Sequence, residues 1–371
     1  MEGKGQGSLA GLRVVEFASI GPGPHCAMLL ADMGADVLRI EREGGNGWPN
    51  PVADRGRATV TIDIRSEEGR AFCHDAAAHA DVVIEGFRPG VMERLGLGPD
   101  VLLARNPRLI YGRVTGWGQD GPLAHTAGHD INYIALTGAL AAMGKPGEPA
   151  TVPLNLVGDF GGGSMFLAVG ILAALWERER SGKGQVIDAA IVDGVSSMMT
   201  MFAGLLPSGR ISLDRDKNLL GGAAPFYRCY RCADGRELAV GSLEQKFFED
   251  MMGRLGLSQY APLQYCTDRW DELRALLERT FASQDQAHWI RLFEGSDACI
   301  APVLSLAESM QHPHMETRQT YVEDGGLKQA APAPRFSRTP GAIRGASDAA
   351  VMLENWRVAD ANAPTRSKGA R

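Results

Sequence analysis

The chain has 371 residues, of which 44% are hydrophobic, 22% are charged and six are cysteines, and its formal net charge is −6 at pH 7. This length can hold one large domain and a smaller one, each with its own core. The negative charge argues against a general nucleic-acid partner, which needs a basic face, and the few cysteines argue against a secreted disulfide scaffold.

The N-terminal eight residues contain no apolar signal segment, and the longest apolar run, residues 165–176, is too short to span a bilayer. We therefore expect a cytoplasmic protein with no membrane partner.

Short β-rich runs alternate with helical stretches along the first half of the chain. The strands are predicted at residues 12–17, 35–41, 58–64, 81–85, 109–115 and 185–191, and the helices at 25–33, 67–80 and 164–180. Such alternation is typical of an α/β fold with a mainly parallel sheet and helices on its faces.

The composition and the pattern of predicted elements change after residue 204. Residues 1–204 are predicted to form the large domain, completed by about 325–358, with a polar, Gly-rich linker at 205–224. Residues 225–324 read as a smaller α+β domain that begins with a hairpin around Asp234-Gly235. The last residues, 359–371, are predicted to be a disordered tail.

The turn Gly21-Pro-Gly-Pro24 joins the first strand to the first helix, where a phosphate could bind. It fails the dinucleotide pattern, because Cys26 stands at the third glycine position and the prolines lack amide donors. A tight structural turn is favoured over a nicotinamide site.

Cys229 and Cys232 have CxxC spacing, but no second pair or nearby histidine accompanies them. In a strand their side chains would point to opposite faces, so we expect neither a metal site nor a redox pair.

His129 and Asp159 are the candidate acid–base residues. His129 lies in the Gly-flanked segment Gly128-His-Asp-Ile-Asn-Tyr133, and imidazole titrates nearest neutrality, which suits a reversible proton carrier. Asp159 stands before three glycines at the start of a long helix. A simple N-cap and a catalytic carboxylate are equally good interpretations there. Exposed amides at that helix start would stabilise an enolate.

Five arginines lie near strand ends or helix starts in the first hundred residues: Arg39, Arg42, Arg65, Arg88 and Arg94. Taken singly, each is an ordinary solvated charge. Together they are compatible with a phosphate-rich ligand at the carboxyl edge of the sheet.

At these residues the chain resembles the class III CoA-transferase (CaiB/BaiF) superfamily and, within it, the α-methylacyl-CoA racemases. The resemblance extends from about residue 9 to 338. It is most specific in residues 128–133, 155–165 and 184–190, whereas the segment 85–96 is shared more widely across the superfamily.

The resemblance implies a Rossmann-like large domain, a small domain and an interlocked homodimer. It also implies that His129 and Asp159 are catalytic and that Glu244, from the small domain, orients or polarises His129. Arg42, Arg65, Arg88 and Arg94 are the implied contacts of the CoA moiety.

The implied reaction interconverts (2R)- and (2S)-2-methylacyl-CoA through an enolate, with one base on each face of the α-carbon. Neither a metal nor an organic cofactor is expected, because the thioester itself acidifies the α-carbon and CoA is part of the substrate. The alternative within the superfamily is a CoA-transferase in which Asp159 is a nucleophile. A non-catalytic acyl-CoA-binding protein would need the arginines but not His129, Asp159 and Glu244.

Overall fold

The computed structural model describes residues 7–45 and 47–362, which form two compact units. The first unit comprises the chain up to Thr137, Pro153–Met198 and the segment from Gln319 onward. The second comprises Gly138–Val152 and Met199–Arg318. Residues 138–152 and 199–204, which the sequence analysis assigns to the large domain, therefore belong to the second unit.

The first unit is built on a six-stranded parallel sheet with the order β3-β2-β1-β4-β5-β6. Its strands are β1 Arg13–Phe17, β2 Asp36–Glu41, β3 Arg57–Thr61, β4 Val82–Glu85, β5 Ile110–Thr115 and β6 Gln185–Ala190. All six correspond to predicted strands, and the α/β class is confirmed.

The central strands are buried on both faces. Val14 and Val15 on β1, and Val82, Val83 and Ile84 on β4, are completely buried. Such continuous apolar runs are expected where helices cover both faces of a parallel sheet. Two separate clusters of buried apolar residues, one on each side of β1, form the core.

Helices and a small hairpin complete the first unit. The helices are α1 Pro22–Asp32, α2 Glu67–Ala78, α3 Val91–Arg94, α4 Pro99–Arg105, α5 Asp130–Leu136, a π-helix Leu156–Met165, α6 Phe166–Ser181, α7 Ile191–Met198 and α14 Ala349–Ala361, and the hairpin strands are β10 Tyr321–Asp324 and β11 Leu327–Ala330. Helix α14 continues three residues into the segment predicted to be disordered, because Leu353 and Trp356 are buried in the core. Residues 363–371 of that segment lie outside the described residues.

The second unit has a three-stranded antiparallel sheet and short helices. These are β7 Tyr227–Arg231, β8 Glu237–Gly241 and β9 Ile300–Pro302, with α8 Thr200–Leu205, α9 Gln245–Arg254, α10 Trp270–Phe281, α11 Gln286–Phe293, α12 Leu306–Ser309 and α13 Pro313–Thr317. The predicted hairpin is present, with Gly235 at positive φ in its turn. Cys229 is exposed and Cys232 buried, and neither forms a disulfide.

The π-helix and α6 form one continuous helix, Leu156–Ser181. This differs from the sequence analysis, which began the helix at residue 164 and judged the apolar run 165–176 too short to span a bilayer. By length and composition the 26-residue helix is long enough to cross a membrane. In the first unit its π-helical part packs against α1 and α7, and α6 packs on β5 and β6.

Glycines explain why the π-helix lies so close to its neighbours. A β-carbon added to Gly194 in α7 would be 2.0 Å from the carbonyl oxygen of Gly162, so the two backbones touch directly. A β-carbon on Gly163 would be 2.9 Å from that of Pro22. The glycines that resemble a flexible turn in the sequence are therefore needed for backbone packing.

We expect Gly194→Ala to destabilise the protein by about 3 kcal/mol or more, because backbone atoms cannot move away as a side chain can. Gly204→Ala is the matched control: Gly204 is also helical, and nothing lies within 4 Å of its added methyl group. We expect that control to be neutral or slightly stabilising. Urea unfolding measures both, and equal stability of the two variants would contradict this packing.

Candidate active site

A cavity of about 690 Å³ lies at the carboxyl edge of the parallel sheet in the first unit. The chain turns one way from β1 to β2 and β3, and the other way from β4 to β5 and β6. Parallel sheets bind ligands at such a switch point, where the segments that follow the two central strands diverge. Residues that follow β1 and β4, among them Gly21 and Arg88, line this cavity.

His129 lines the cavity and is exposed. It precedes α5, and its backbone amide donates to the side-chain oxygen of Asn132, 3.0 Å away. Tyr133 supports the same segment, because its hydroxyl donates to the carbonyl oxygen of Gly128 and its ring packs edge-on against Trp117. Local contacts of this segment thus place the imidazole at the cavity.

Asp159 lines the same cavity from the π-helix. Its half-buried carboxylate accepts a hydrogen bond from the Asn155 amide at 3.3 Å. It also lies against the turn before α1, where a β-carbon on Gly21 would be 2.9 Å from an Asp159 oxygen. Gly21 has φ of 73°, so this position favours glycine for its conformation as well as for space.

Burial raises the pKa of Asp159 above the usual aspartate range. The hydrogen bond from Asn155 lowers this pKa, the negative charge of Asp130 raises it, and His129 lowers it. The balance favours protonation, so the carboxyl group takes up a proton more readily than an exposed aspartate does.

Asp130 ties the two candidate acid–base segments together. Its buried carboxylate accepts a hydrogen bond from the backbone amide of Asp159 at 2.6 Å, and the amide of Gly158 donates to it as well. Because Asp130 directly follows His129, this contact fixes both residues on one cavity wall. It also occupies amides that the sequence analysis left available for an enolate oxygen.

His25 and Tyr133 line the cavity, and neither they nor Asp130 were predicted from the sequence as functional residues. The pattern Gly-His-Asp-Ile-Asn-Tyr contained a signal for two of them, since it places Asp130 and Tyr133 beside His129. The contribution of His25 comes from its packing against distant residues, which sequence spacing does not show.

Among the arginines predicted to contact CoA, Arg88 lines the cavity. Arg94 ends α3 and is exposed, with a guanidinium nitrogen close to Gly90. Arg42 donates to the carbonyl oxygen of Gly45 at 2.8 Å. Arg65 forms an exposed ion pair with Asp63 at 2.9 Å. The structure therefore brings one of the four arginines to the cavity.

Arg39, the fifth arginine of the sequence analysis, is buried and pairs with Asp54 at 2.5 Å. A second buried pair lies beside it, in which Arg57 contacts Glu16 at 2.6 Å and donates to the carbonyl oxygen of Ala53. Ala53 and Asp54 line the cavity. These ion pairs therefore fix the position of the wall of the cavity that Ala53 and Asp54 form.

Glu244 belongs to the second unit, where it is exposed and directly precedes α9. The adjacent carbonyl oxygen of Leu243 accepts hydrogen bonds from the Gln264 amide at 2.8 Å and from the Tyr265 hydroxyl. The predicted role of Glu244 beside His129 stays a prediction.

Comparisons with known proteins agree on one family. The model of "CoA-transferase family III" matches residues 9–347. The chain is 44% identical to mouse "Alpha-methylacyl-CoA racemase" and 42% identical to the human protein of that name, in each case over 90% of this chain and 87% of the relative. A crystal structure of a CAIB/BAIF family protein from Brucella suis superposes with a TM-score of 0.80 at 28% identity, covering 95% of this chain and all of that one.

Because the pKa of Asp159 is raised, we expect the stability of the folded protein to depend on pH. As pH rises through the ordinary aspartate range, the unfolded chain releases this proton before the folded protein does, so folding loses stability until the folded-state pKa is passed. Asn is always neutral, and we therefore expect Asp159→Asn to gain stability over the native protein as pH rises from 4 to 7.

Thermal unfolding at several pH values measures this difference. Asp63→Asn is the control of opposite sign, because the hydrogen bond from Arg65 lowers the pKa of Asp63. If the stability that Asp159→Asn gains over the native protein did not grow with pH, the pKa of Asp159 would not be raised in the folded state.

Proposed function

The chain belongs to CoA-transferase family III, and from this membership we propose that it is an α-methylacyl-CoA racemase. It interconverts (2R)- and (2S)-2-methylacyl-CoA thioesters. One observation carries the proposal: an imidazole, His129, and a carboxylate with a raised pKa, Asp159, line the same cavity. The names of the mouse and human relatives support the choice of substrate.

The reaction needs two groups that exchange roles as acid and base. One group removes the α-proton, a planar enolate forms, and the other group returns a proton to the opposite face. A single base would tend to restore the starting configuration. The raised pKa of Asp159 brings its proton affinity closer to that of an imidazole, and such a match favours transfer in both directions.

The thioester carbonyl acidifies the α-carbon, so the proposed reaction requires neither a metal nor an organic cofactor. CoA enters as part of the substrate. Arg88 lines the cavity, which supports the proposal that it contacts the charged portion of CoA. Arg42, Arg65 and Arg94 stay predicted contacts of the same moiety. We further propose that Glu244 orients His129, as the family resemblance implies.

The second candidate function is CoA transfer with Asp159 as nucleophile, which the family name itself suggests. That reaction needs the carboxylate but not the imidazole. The position of His129 on the same cavity favours epimerisation.

Incubation of one enantiomer of a 2-methylacyl-CoA in D₂O, without any acyl acceptor, separates the two functions. We expect deuterium at the α-carbon together with loss of optical purity. His129→Gln and Asp159→Asn should each lower epimerisation by about 10²–10⁴-fold, because each removes one acid–base group. His125→Gln, which changes a nearby exposed histidine that is not among the cavity-lining residues, should keep the activity.

Transfer of CoA to an added carboxylate, with no deuterium at the α-carbon, would instead establish the transferase. Full activity in either the His129 or the Asp159 variant would remove that residue from the mechanism.

We also propose that the chain forms a homodimer. The outer face of α6 is apolar and exposed: Val169 is 62% and Trp176 is 71% accessible, and Met165, Phe166 and Leu172 continue the same surface. Contiguous apolar surfaces of this kind are typical of protein interfaces. A second copy is the occupant that the family resemblance implies.

Val169→Glu with Trp176→Glu should shift the protein from dimer to monomer at micromolar concentration, because two charges would be buried in the contact. Val351→Glu, on the exposed side of α14, is the matched control and should leave the dimer intact. Light scattering coupled to gel filtration measures the mass. A monomeric native protein, or an unchanged dimer in the double variant, would contradict the proposal.

A further inference from the structure

His25 is a second histidine on the wall of the cavity, and the proposed reaction does not use it. It lies in the first turn and a half of α1, in the segment that follows Gly21. Its ring stacks on Phe160 with centroids 4.5 Å apart and planes inclined by 26°. Its Nδ1 is hydrogen-bonded to the hydroxyl of Ser164 at 2.7 Å.

These two contacts reach the π-helix on either side of its midpoint. Phe160 is the residue directly after Asp159, and Ser164 is five residues after Asp159. In a π-helix the backbone hydrogen bonds join residues five apart, so Ser164 follows Asp159 by one π-helical hydrogen bond. A group that holds Ser164 and Phe160 therefore also restricts the orientation of Asp159.

The π-helix needs such support. This hydrogen-bonding pattern is rare, is found mostly as single turns at functional sites, and competes with the ordinary α-helix. Ten consecutive residues adopt it here, including four glycines, which favour helices weakly. Ser164 is completely buried, so its hydroxyl requires a partner, and His25 supplies one.

Resting on the proposed racemase function, we propose that His25 is a positioning residue that holds the π-helix in register, so that the carboxylate of Asp159 faces the α-carbon of the substrate. His129 lies on a different segment, whose link to the π-helix is the hydrogen bond that the Asp159 amide donates to the Asp130 carboxylate. Neither His25 nor Ser164 takes part in that bond. The pKa of His25 is lowered by burial and by the nearby charges of Arg57 and Arg55, which keeps the ring neutral at pH 7. A neutral imidazole carries no positive charge that would lower the pKa of Asp159.

Two variants remove the hydrogen bond between His25 and Ser164, each by changing one of the two partners. His25→Phe keeps an aromatic ring for Phe160 and loses the nitrogen, whereas Ser164→Ala keeps the histidine and loses the hydroxyl. We expect each to lower kcat for epimerisation by about tenfold or more with little change in KM, because small misplacements of a reacting group are costly. The double variant should be little worse than the poorer single variant, since both remove one contact.

The ratio of deuterium exchange to inversion distinguishes positioning from general damage. If Asp159 is displaced while His129 is intact, His129 still removes the proton of one enantiomer. The imidazolium exchanges that proton with D₂O and then returns a deuteron to the same face of the enolate. We therefore expect exchange to exceed inversion for that enantiomer only. His79→Phe is the matched control, because its Nδ1 also makes a hydrogen bond, to Asp360, and it is not among the cavity-lining residues.

Native kcat in both variants would overturn the proposal, as would an equal fall of exchange and inversion for both enantiomers together with a lower Tm. A higher KM at unchanged kcat would also overturn it, because it would make His25 a substrate contact. A native protein that does not epimerise at all would refute the function instead. Crystal structures of the two variants then test the positioning independently: an unaltered π-helix with Asp159 unmoved would contradict it.

Discussion

The hydrogen bond from the Asp159 amide to the Asp130 carboxylate is the contact on which the site depends. His129 and Asp159 are thirty residues apart in the sequence: His129 precedes α5, and Asp159 lies in the π-helix. Because Asp130 follows His129 directly and binds the backbone of Asp159, one buried carboxylate sets the relation between the two acid–base groups. Its burial makes the bond strong, since an unpaired carboxylate would be costly there.

Small residues make this arrangement possible. Gly162 and Gly194 let the π-helix touch α7 backbone to backbone, and Gly21 leaves room for the carboxylate of Asp159 beside α1. The aspartate is consequently held between two helices rather than at a mobile loop. A rigid support of this kind keeps a reacting group in place without reorganisation during the reaction.

The parallel sheet was predictable because apolar, β-branched runs separated by helical stretches have few other interpretations. The π-helix was not: a run of three glycines favours a turn locally, and it becomes helical through packing against Gly194, far along the chain. Likewise, the sequence alone makes Arg39 an ordinary surface charge, whereas in the structure it is buried and paired with Asp54. The types of the residues pointed to His129 as an acid–base group, and the family resemblance added the pairing with Asp159. The contribution of Asp130 required the structure.

The central claim is that His129 and Asp159 flank a single acidified carbon. A crystal structure with a bound 2-methylacyl-CoA tests it most directly. We expect an imidazole nitrogen of His129 and a carboxylate oxygen of Asp159 on opposite faces of the α-carbon, each about 3–3.5 Å from it. Both groups on the same face, or an Asp159 oxygen directed at the thioester carbonyl carbon with His129 remote from the α-carbon, would contradict two-base epimerisation.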